Sequence, residues 1–123
     1  MTSPSIDTEG SYSALKFIEA ALQGGHQITG VFFYQAGVDI ANRFQTVLSD
    51  ERDIHSLWKT IAQKHAIPLQ VCVTAANRRG VISQLDAVED QSNGHFNLEN
   101  PFESVGIGEL VTMLNACDRS IQF

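Results

Sequence analysis

The residues best suited to chemistry in this chain lie between Gln70 and Gly80, in the stretch QVCVTAANRRG. Cys72 stands near the end of a short β-branched run that is typical of a strand, and helix-forming residues follow it. A cysteine at a helix start lies near unpaired N–H groups and the positive end of the helix dipole. Both favour the thiolate, which is the nucleophilic form. Arg78 and Arg79 could add positive potential, although only one of two neighbours on a helix would face the thiol.

A buried packing role is the alternative for Cys72. Free cysteine is among the residue types most often found inside proteins, where it packs as a small hydrophobe. Against this, Cys72 lies near the carboxyl end of a predicted parallel strand, and open α/β sheets place their sites at that edge. The residue types alone leave both alternatives open.

No second reactive site is expected from the other cysteine or from the histidines. Cys117 lies at the end of the last predicted helix with nothing nearby to activate it, so a structural role is expected. The two cysteines are not spaced as a CxxC motif, which argues against a redox-active dithiol. The histidines also lack the spacing of zinc ligands, so no metal site is expected. They are His26, His55, His65 and His95.

The composition favours a protein that works with other proteins. Eight basic residues stand against 14 acidic ones, for a net charge of −6. Direct nucleic-acid binding needs clustered Lys and Arg, so this chain alone is not expected to bind nucleic acid. No apolar run approaches the ~20 residues of a membrane span, and the first residues do not resemble a secretory signal. We therefore expect no membrane association, a cytoplasmic location and free thiols.

Helical and strand patterns alternate along the chain. Helices are expected over about 14–22, 50–61, 74–79 and 106–117, and strands over about 26–34, 66–73 and 119–123. Ser49 or Asp50 is expected to cap the second of these helices. Residues 81–103 are polar and irregular, and we predict no element there.

This alternation predicts an α/β fold. A three-layer, doubly wound and mostly parallel sheet has helices on both faces and the strand–helix order seen here. The length of 123 residues fits one domain over residues 1–123. One feature is unusual, because a doubly wound domain normally begins with a strand and this pattern begins with a loop and a helix.

Three segments of the chain resemble the DsrE family of sulfur-transfer proteins. They are GHQITGVFFYQAGVDIAN, VCVTAANRRGV and the ending CDRSIQF. The pattern Cys-x-x-Ala-Ala-x-Arg-Arg-Gly, which begins at Cys72, is the most specific part. The similarity runs from about Thr2 to Phe123, and it is closest to the family branch that thiolates tRNA.

The resemblance implies a sulfurtransferase whose active cysteine is Cys72. This residue would receive sulfane sulfur as a persulfide and pass it to the next carrier, for 2-thiolation of the tRNA wobble uridine. The implied partners are TusB-like and TusC-like subunits in a heterohexamer, a TusA-like sulfur donor and a TusE-like acceptor, and no cofactor is implied. Two alternatives remain: a DsrE-type subunit of dissimilatory sulfur oxidation, and a non-catalytic interaction subunit in which Cys72 is inert.

The amino end departs from the family pattern. Family members begin with a strand, whereas this chain starts at a segment that resembles the loop after that strand. We therefore expect a strand of ~5–8 residues to be encoded in frame directly before Thr2. We also expect the chain without it to be less stable, since an interior strand pairs the backbone groups of its neighbours.

Overall fold

The structure is a computed structural model that describes residues 1–3, 9–89 and 94–123. The helices are α1 (Gly10–Gln23), α2 (Ile54–His65), α3 (Val73–Arg78), α4 (Gln84–Glu89) and α5 (Gly108–Ala116), with a 3₁₀ helix over Gln35–Ala41. The strands are β1 (Val31–Phe33), β2 (Leu69–Cys72) and β3 (Phe102–Val105). The predicted α/β fold is therefore present, with a small sheet between helices.

The three strands form a parallel sheet in the order β1-β2-β3. Successive side chains on a strand alternate between the two faces, and residues paired across a parallel sheet share a face. The register therefore divides the strand residues into two sets. The inner face carries Val31, Phe33, Leu69, Val71, Phe102 and Ser104, and the outer face carries Phe32, Gln70, Cys72, Glu103 and Val105.

Helices α1 and α2 pack on the inner face and form most of the core. Trp58 of α2 is fully buried, and its ring meets Phe33 edge-on with centroids 5.2 Å apart. The indole Nε1–H of Trp58 donates a 2.9 Å hydrogen bond to Oγ of Ser11 on α1, which is also fully buried. This single bond satisfies both buried polar groups and ties the two helices together.

The predicted cap of α2 is wrong by a few residues. Asp53 is the N-cap, and its carboxylate accepts hydrogen bonds from the Ser56 backbone N–H (3.0 Å) and from the Ser56 hydroxyl (2.7 Å). A capping side chain has to reach the N–H groups two or three residues ahead. Ser49 and Asp50 lie too far before Ile54, the first helical residue, to do so.

The third strand also differs from the prediction. It is β3, which begins at Phe102 near the end of the segment predicted to be irregular and runs two residues beyond it, while the ending RSIQF is not a strand. Helix α4 lies in the same segment and was not predicted. β3 is short, and it is recognised as a strand only through its pairing with β2, which sequence patterns do not reveal. Residues 90–93 of this segment lie outside the described residues.

The first residues of the chain lie along the free edge of β1. The Met1 amino group donates to the Phe32 carbonyl at 2.7 Å, and the Tyr34 N–H donates to the Met1 carbonyl at 2.9 Å. Burial lowers the pKa of this amino group. On the other side, the Thr2 N–H donates to the Phe123 carbonyl at 2.8 Å. The carboxyl-terminal residue thus pairs with Thr2 and not with β1.

Candidate active site at the carboxyl end of the sheet

Cys72 is the last residue of β2 and the N-cap residue of α3. Its φ and ψ of −62° and 114° are extended, and the helix begins at the next residue. No loop separates the strand from the helix, so the backbone on both sides fixes the position of the thiol. The predicted location of Cys72, at a strand end and a helix start, is confirmed.

The Cys72 side chain is enclosed by the protein. Only 2% of the residue is exposed, and it belongs to the main hydrophobic core cluster. Ala75 and Ala76, on the helix α3 that follows it, are buried as well. A thiol from another protein could therefore reach Cys72 only if the side chains around it separate.

An open groove begins at the residue that follows Cys72. It has a volume of about 590 Å³ and runs from Val73 along β3 to Gly106 and across to the start of α4. Its charged lining residues are Asp86, Glu99 and Glu103, and no Lys, Arg or His from the described part of the chain lines it. This groove brings solvent close to the carboxyl end of β2. Of its three carboxylates, Glu99 forms ion pairs with Arg43 and Lys59.

Arg78 and Arg79 lie at the opposite end of α3 from Cys72. At a rise of about 1.5 Å per residue, Arg78 is roughly 8 Å further along the helix axis than Val73. Both arginines are exposed. Burial raises the pKa of the Asp39 carboxyl, and the charge of Arg79 opposes that rise. The charge of Arg79 therefore affects a carboxyl group of the 3₁₀ helix that packs beside α3.

Asn97 holds the chain next to the groove, a role that the sequence patterns did not reveal. Its side-chain amide donates to the Gly80 carbonyl at 2.9 Å, and its side-chain oxygen accepts from the Ile82 N–H at 2.6 Å. Its backbone N–H donates to the Ile82 carbonyl at 3.0 Å. These bonds fasten the segment that leaves α3 to the segment that approaches β3. The sequence pattern around an asparagine in a polar stretch does not predict hydrogen bonds to residues so far along the chain.

The other residues that the sequence offered as candidates lie away from the carboxyl end of the sheet or have structural contacts. Cys117 directly follows α5, and its Sγ lies 3.6 Å from the Leu114 carbonyl oxygen. His55 contacts the Ile40 carbonyl through Nδ1 at 2.8 Å and stacks on Phe102. Within the described ranges, no group of three or more His, Cys, Asp or Glu side chains could hold a metal ion. The helices in those ranges are also too short or too polar to cross a membrane.

Comparison with known proteins gives a match along the whole chain. The model of the DsrE/DsrF-like family matches residues 1–123. A protein named sulfurtransferase TusD from Proteus mirabilis is 43% identical over 123 residues, which is 100% of this chain and 94% of that protein. The sulfurtransferase TusD of Klebsiella pneumoniae is 39% identical, over 100% of this chain and 95% of its own length. A TusD homolog from Aliivibrio fischeri is 42% identical over 98% of this chain and 92% of its own.

A solved structure has the same fold. The crystal structure of the ychN protein from E. coli superposes with a TM-score of 0.77 over 99% of this chain and 93% of that chain. Its sequence is 17% identical, so this likeness concerns the fold alone.

Proposed function

The chain belongs to the DsrE/DsrF-like family, and we propose that it is a sulfur-relay sulfurtransferase whose sulfur carrier is Cys72. Residues 1–123 act as a single sulfurtransferase domain. The observation that carries the proposal is the position of Cys72, the last residue of β2 and the N-cap of α3. Relatives named sulfurtransferase TusD, 37–43% identical over 100% of this chain, support the activity.

The proposed chemistry is thiol–persulfide exchange. The Cys72 thiolate attacks the outer sulfur of a donor persulfide, so that a new S–S bond forms on Cys72 while the donor S–S bond breaks. The donor leaves as a thiolate, and no electrons are gained or lost overall. The acceptor thiolate then attacks the outer sulfur on Cys72 in the same way and releases the Cys72 thiolate. Neither step needs a metal or an organic cofactor.

The proposed pathway is 2-thiolation of the tRNA wobble uridine in the cytoplasm. The relatives named TusD favour this pathway over dissimilatory sulfur oxidation. The chain would work in a heterohexamer with TusB-like and TusC-like subunits, take sulfur from a TusA-like donor and deliver it to a TusE-like acceptor. The net charge of −6 fits protein partners and leaves tRNA to another component.

A non-catalytic role in the same complex is the second candidate, and the burial of Cys72 favours it. A thiol that is 2% exposed packs as core cysteines do. In this role the chain would serve as an interaction subunit, and the sulfur would travel on another cysteine. The two candidates differ in one observable property, namely whether sulfur is bound to Cys72.

The test is sulfur loading of the chain in complex with its sister subunits. The complex is incubated with a persulfide-loaded TusA-like donor, and peptides are analysed by mass spectrometry without reduction. We expect a mass gain of one sulfur on the Cys72 peptide. Cys72→Ser should abolish the loading, while Cys117→Ser, the matched control, should keep it nearly intact. Equal loading of the chain with Cys72→Ser would refute the proposal and leave the non-catalytic role.

A further inference from the structure

Gln70 precedes Cys72 on the same face of β2. The two residues are two positions apart on the strand, so both side chains belong to the outer face of the sheet. Across the sheet, Gln70 is paired with Phe32 on β1 and with Glu103 on β3. The Gln70 side chain is therefore flanked on this face by an aromatic ring, a carboxylate and the Cys72 thiol.

The side-chain oxygen of Gln70 is buried and has no hydrogen-bond partner among the described residues. A buried acceptor without a donor costs free energy, so its presence requires an explanation. Phe32 has no polar side-chain atom, and the Glu103 carboxylate can only accept hydrogen bonds. Of these three flanking residues, Cys72 is the one whose side chain can supply a donor.

The Cys72 side chain becomes longer when it carries sulfur. The unmodified thiol does not reach the Gln70 oxygen, because that oxygen has no partner within hydrogen-bond distance. Residues two positions apart on a strand are separated by about 6.6 Å. A persulfide places a second sulfur about 2 Å beyond the first, and in its neutral form this outer sulfur carries the hydrogen. The carried sulfur thus brings a donor to the face on which the Gln70 oxygen lacks one.

The charged groups near Cys72 favour a neutral persulfide over its anion. β1 has no ionisable side chain, α1 and α2 pack on the opposite face, and Arg78 lies at the far end of α3. The carboxylates of the other described elements around β2 and its carboxyl end include Asp39 on the 3₁₀ helix, Asp86 on α4, Glu103 on β3 and Glu109 on α5. Burial and nearby negative charge both disfavour an anion, so the outer sulfur keeps its proton.

A protonated outer sulfur is also the form that the next carrier can attack. When the Cys72 thiolate attacks the outer sulfur of a donor persulfide, the donor S–S bond breaks and its electron pair leaves with the donor thiolate. The hydrogen stays on the transferred sulfur. The thiolate of the next carrier then attacks this same sulfur, and a negative charge on it would repel that thiolate. A group that holds the S–H therefore keeps the sulfur ready for transfer.

We propose that Gln70 binds the sulfur that Cys72 carries: its side-chain oxygen accepts a hydrogen bond from the S–H of the Cys72 persulfide and keeps the outer sulfur neutral. This inference rests on the proposed function, because it assigns Gln70 a role toward the persulfide of the same site. It also accounts for a buried acceptor that lacks a donor while Cys72 is unloaded.

The test measures the ionisation of the persulfide in place. The complex with the sister subunits is loaded by a persulfide-carrying TusA-like donor, and the donor is removed. The near-ultraviolet absorbance of the persulfide anion is then followed against pH, with the complex that carries Cys72→Ser as the blank. Gln70→Met keeps the length of the side chain but removes the acceptor. The midpoint should therefore fall by about 0.5–1 pH unit, the effect of one hydrogen bond to the neutral form.

Two further variants complete the series. Gln70→Glu introduces a stronger acceptor and a negative charge, so it should raise the midpoint. Gln63→Met is the matched control, because it makes the same change at an exposed position of α2, and it should leave the midpoint where it is.

Two other measurements separate this role from a structural one. Before loading, Gln70→Met should melt no lower than the wild type, because the substitution removes a buried acceptor that has no donor. After loading, the rate of sulfur transfer to a TusE-like acceptor should begin to decline at a lower pH in Gln70→Met than in the wild type.

An unchanged midpoint in both Gln70 variants would overturn the inference, while loading of Cys72 would still support the proposed function. A raised midpoint in Gln70→Met would also overturn it, because the amide N–H would then be donating to the anion. If Gln70→Met does not fold, the direction of the shift in Gln70→Glu decides. A wild-type complex that takes no sulfur on Cys72 would refute the proposed function, and this inference with it.

Discussion

Cys72 combines a position that favours reactivity with an environment that hides it. It ends a parallel strand and begins a helix, and 2% of it is exposed. The first property follows from local sequence, because a β-branched run and a helix-forming run meet at this residue. The second depends on residues distant in the chain that pack with Cys72 in the main hydrophobic core cluster. Sequence patterns could therefore predict where Cys72 lies in the fold, but they could not decide how far its side chain is buried.

The hydroxyl of Ser11 allows a test of how much one buried hydrogen bond stabilises the core. Ser11→Ala removes the acceptor of the Trp58 indole N–H, which is buried and has no access to water. We expect the free energy of unfolding to fall by about 1–3 kcal/mol, the cost of a buried donor without a partner. Denaturant unfolding measures the change. Ser13→Ala is the control on the exposed side of the same helix, and an equal loss there would contradict this role of Ser11.

The elements that the sequence predicted best are those whose apolar spacing is continuous. α1 and β2 lie within or close to the predicted ranges, because each has a clear apolar pattern bounded by glycine or proline. β3 and α4 were missed for the opposite reason. They lie in a polar segment, and β3 becomes a strand only beside β2, to which its whole length pairs. The ending RSIQF has a strand-like composition, but it pairs with no strand of the described ranges.

The start of α2 gives a prediction at the level of the element. Asp53→Ala should lower the free energy of unfolding by about 1 kcal/mol, because the Ser56 N–H loses its capping acceptor. Asp50→Ala, at the position first expected to cap, should have little effect. Thermal melts of both variants would measure this, and a larger loss from Asp50→Ala would contradict the observed cap.

The same cap predicts a dependence on pH. The hydrogen bond from the Ser56 backbone N–H, followed by that from its side chain, lowers the pKa of Asp53 below its ordinary value. A carboxyl with a lowered pKa in the folded state contributes stability that is complete above its unfolded pKa. This stability is lost as the pH falls through the folded pKa. The difference between wild type and Asp53→Ala should therefore shrink in acid.

At the level of the whole molecule, the exposed apolar residues of the chain suit a protein that binds other subunits. Ile107, at the start of α5, and Val111 and Leu114, along it, are exposed apolar residues, and the ionisable side chains of α5 and β3 are carboxylates. We expect the chain to elute in one complex with TusB-like and TusC-like subunits on size exclusion at micromolar concentration. Separate elution of the three chains would contradict this assembly.

The central claim is that Cys72 carries sulfur onward, and a single-turnover chase tests it most directly. Cys72 in the complex is loaded with ³⁴S-labelled persulfide, the donor is removed, and a TusE-like acceptor is added. The account predicts that the label leaves the Cys72 peptide and appears on the acceptor cysteine at the same rate. Label that stays on Cys72 while the acceptor remains unloaded would contradict it. So would equal loading of the acceptor by a complex that carries Cys72→Ser.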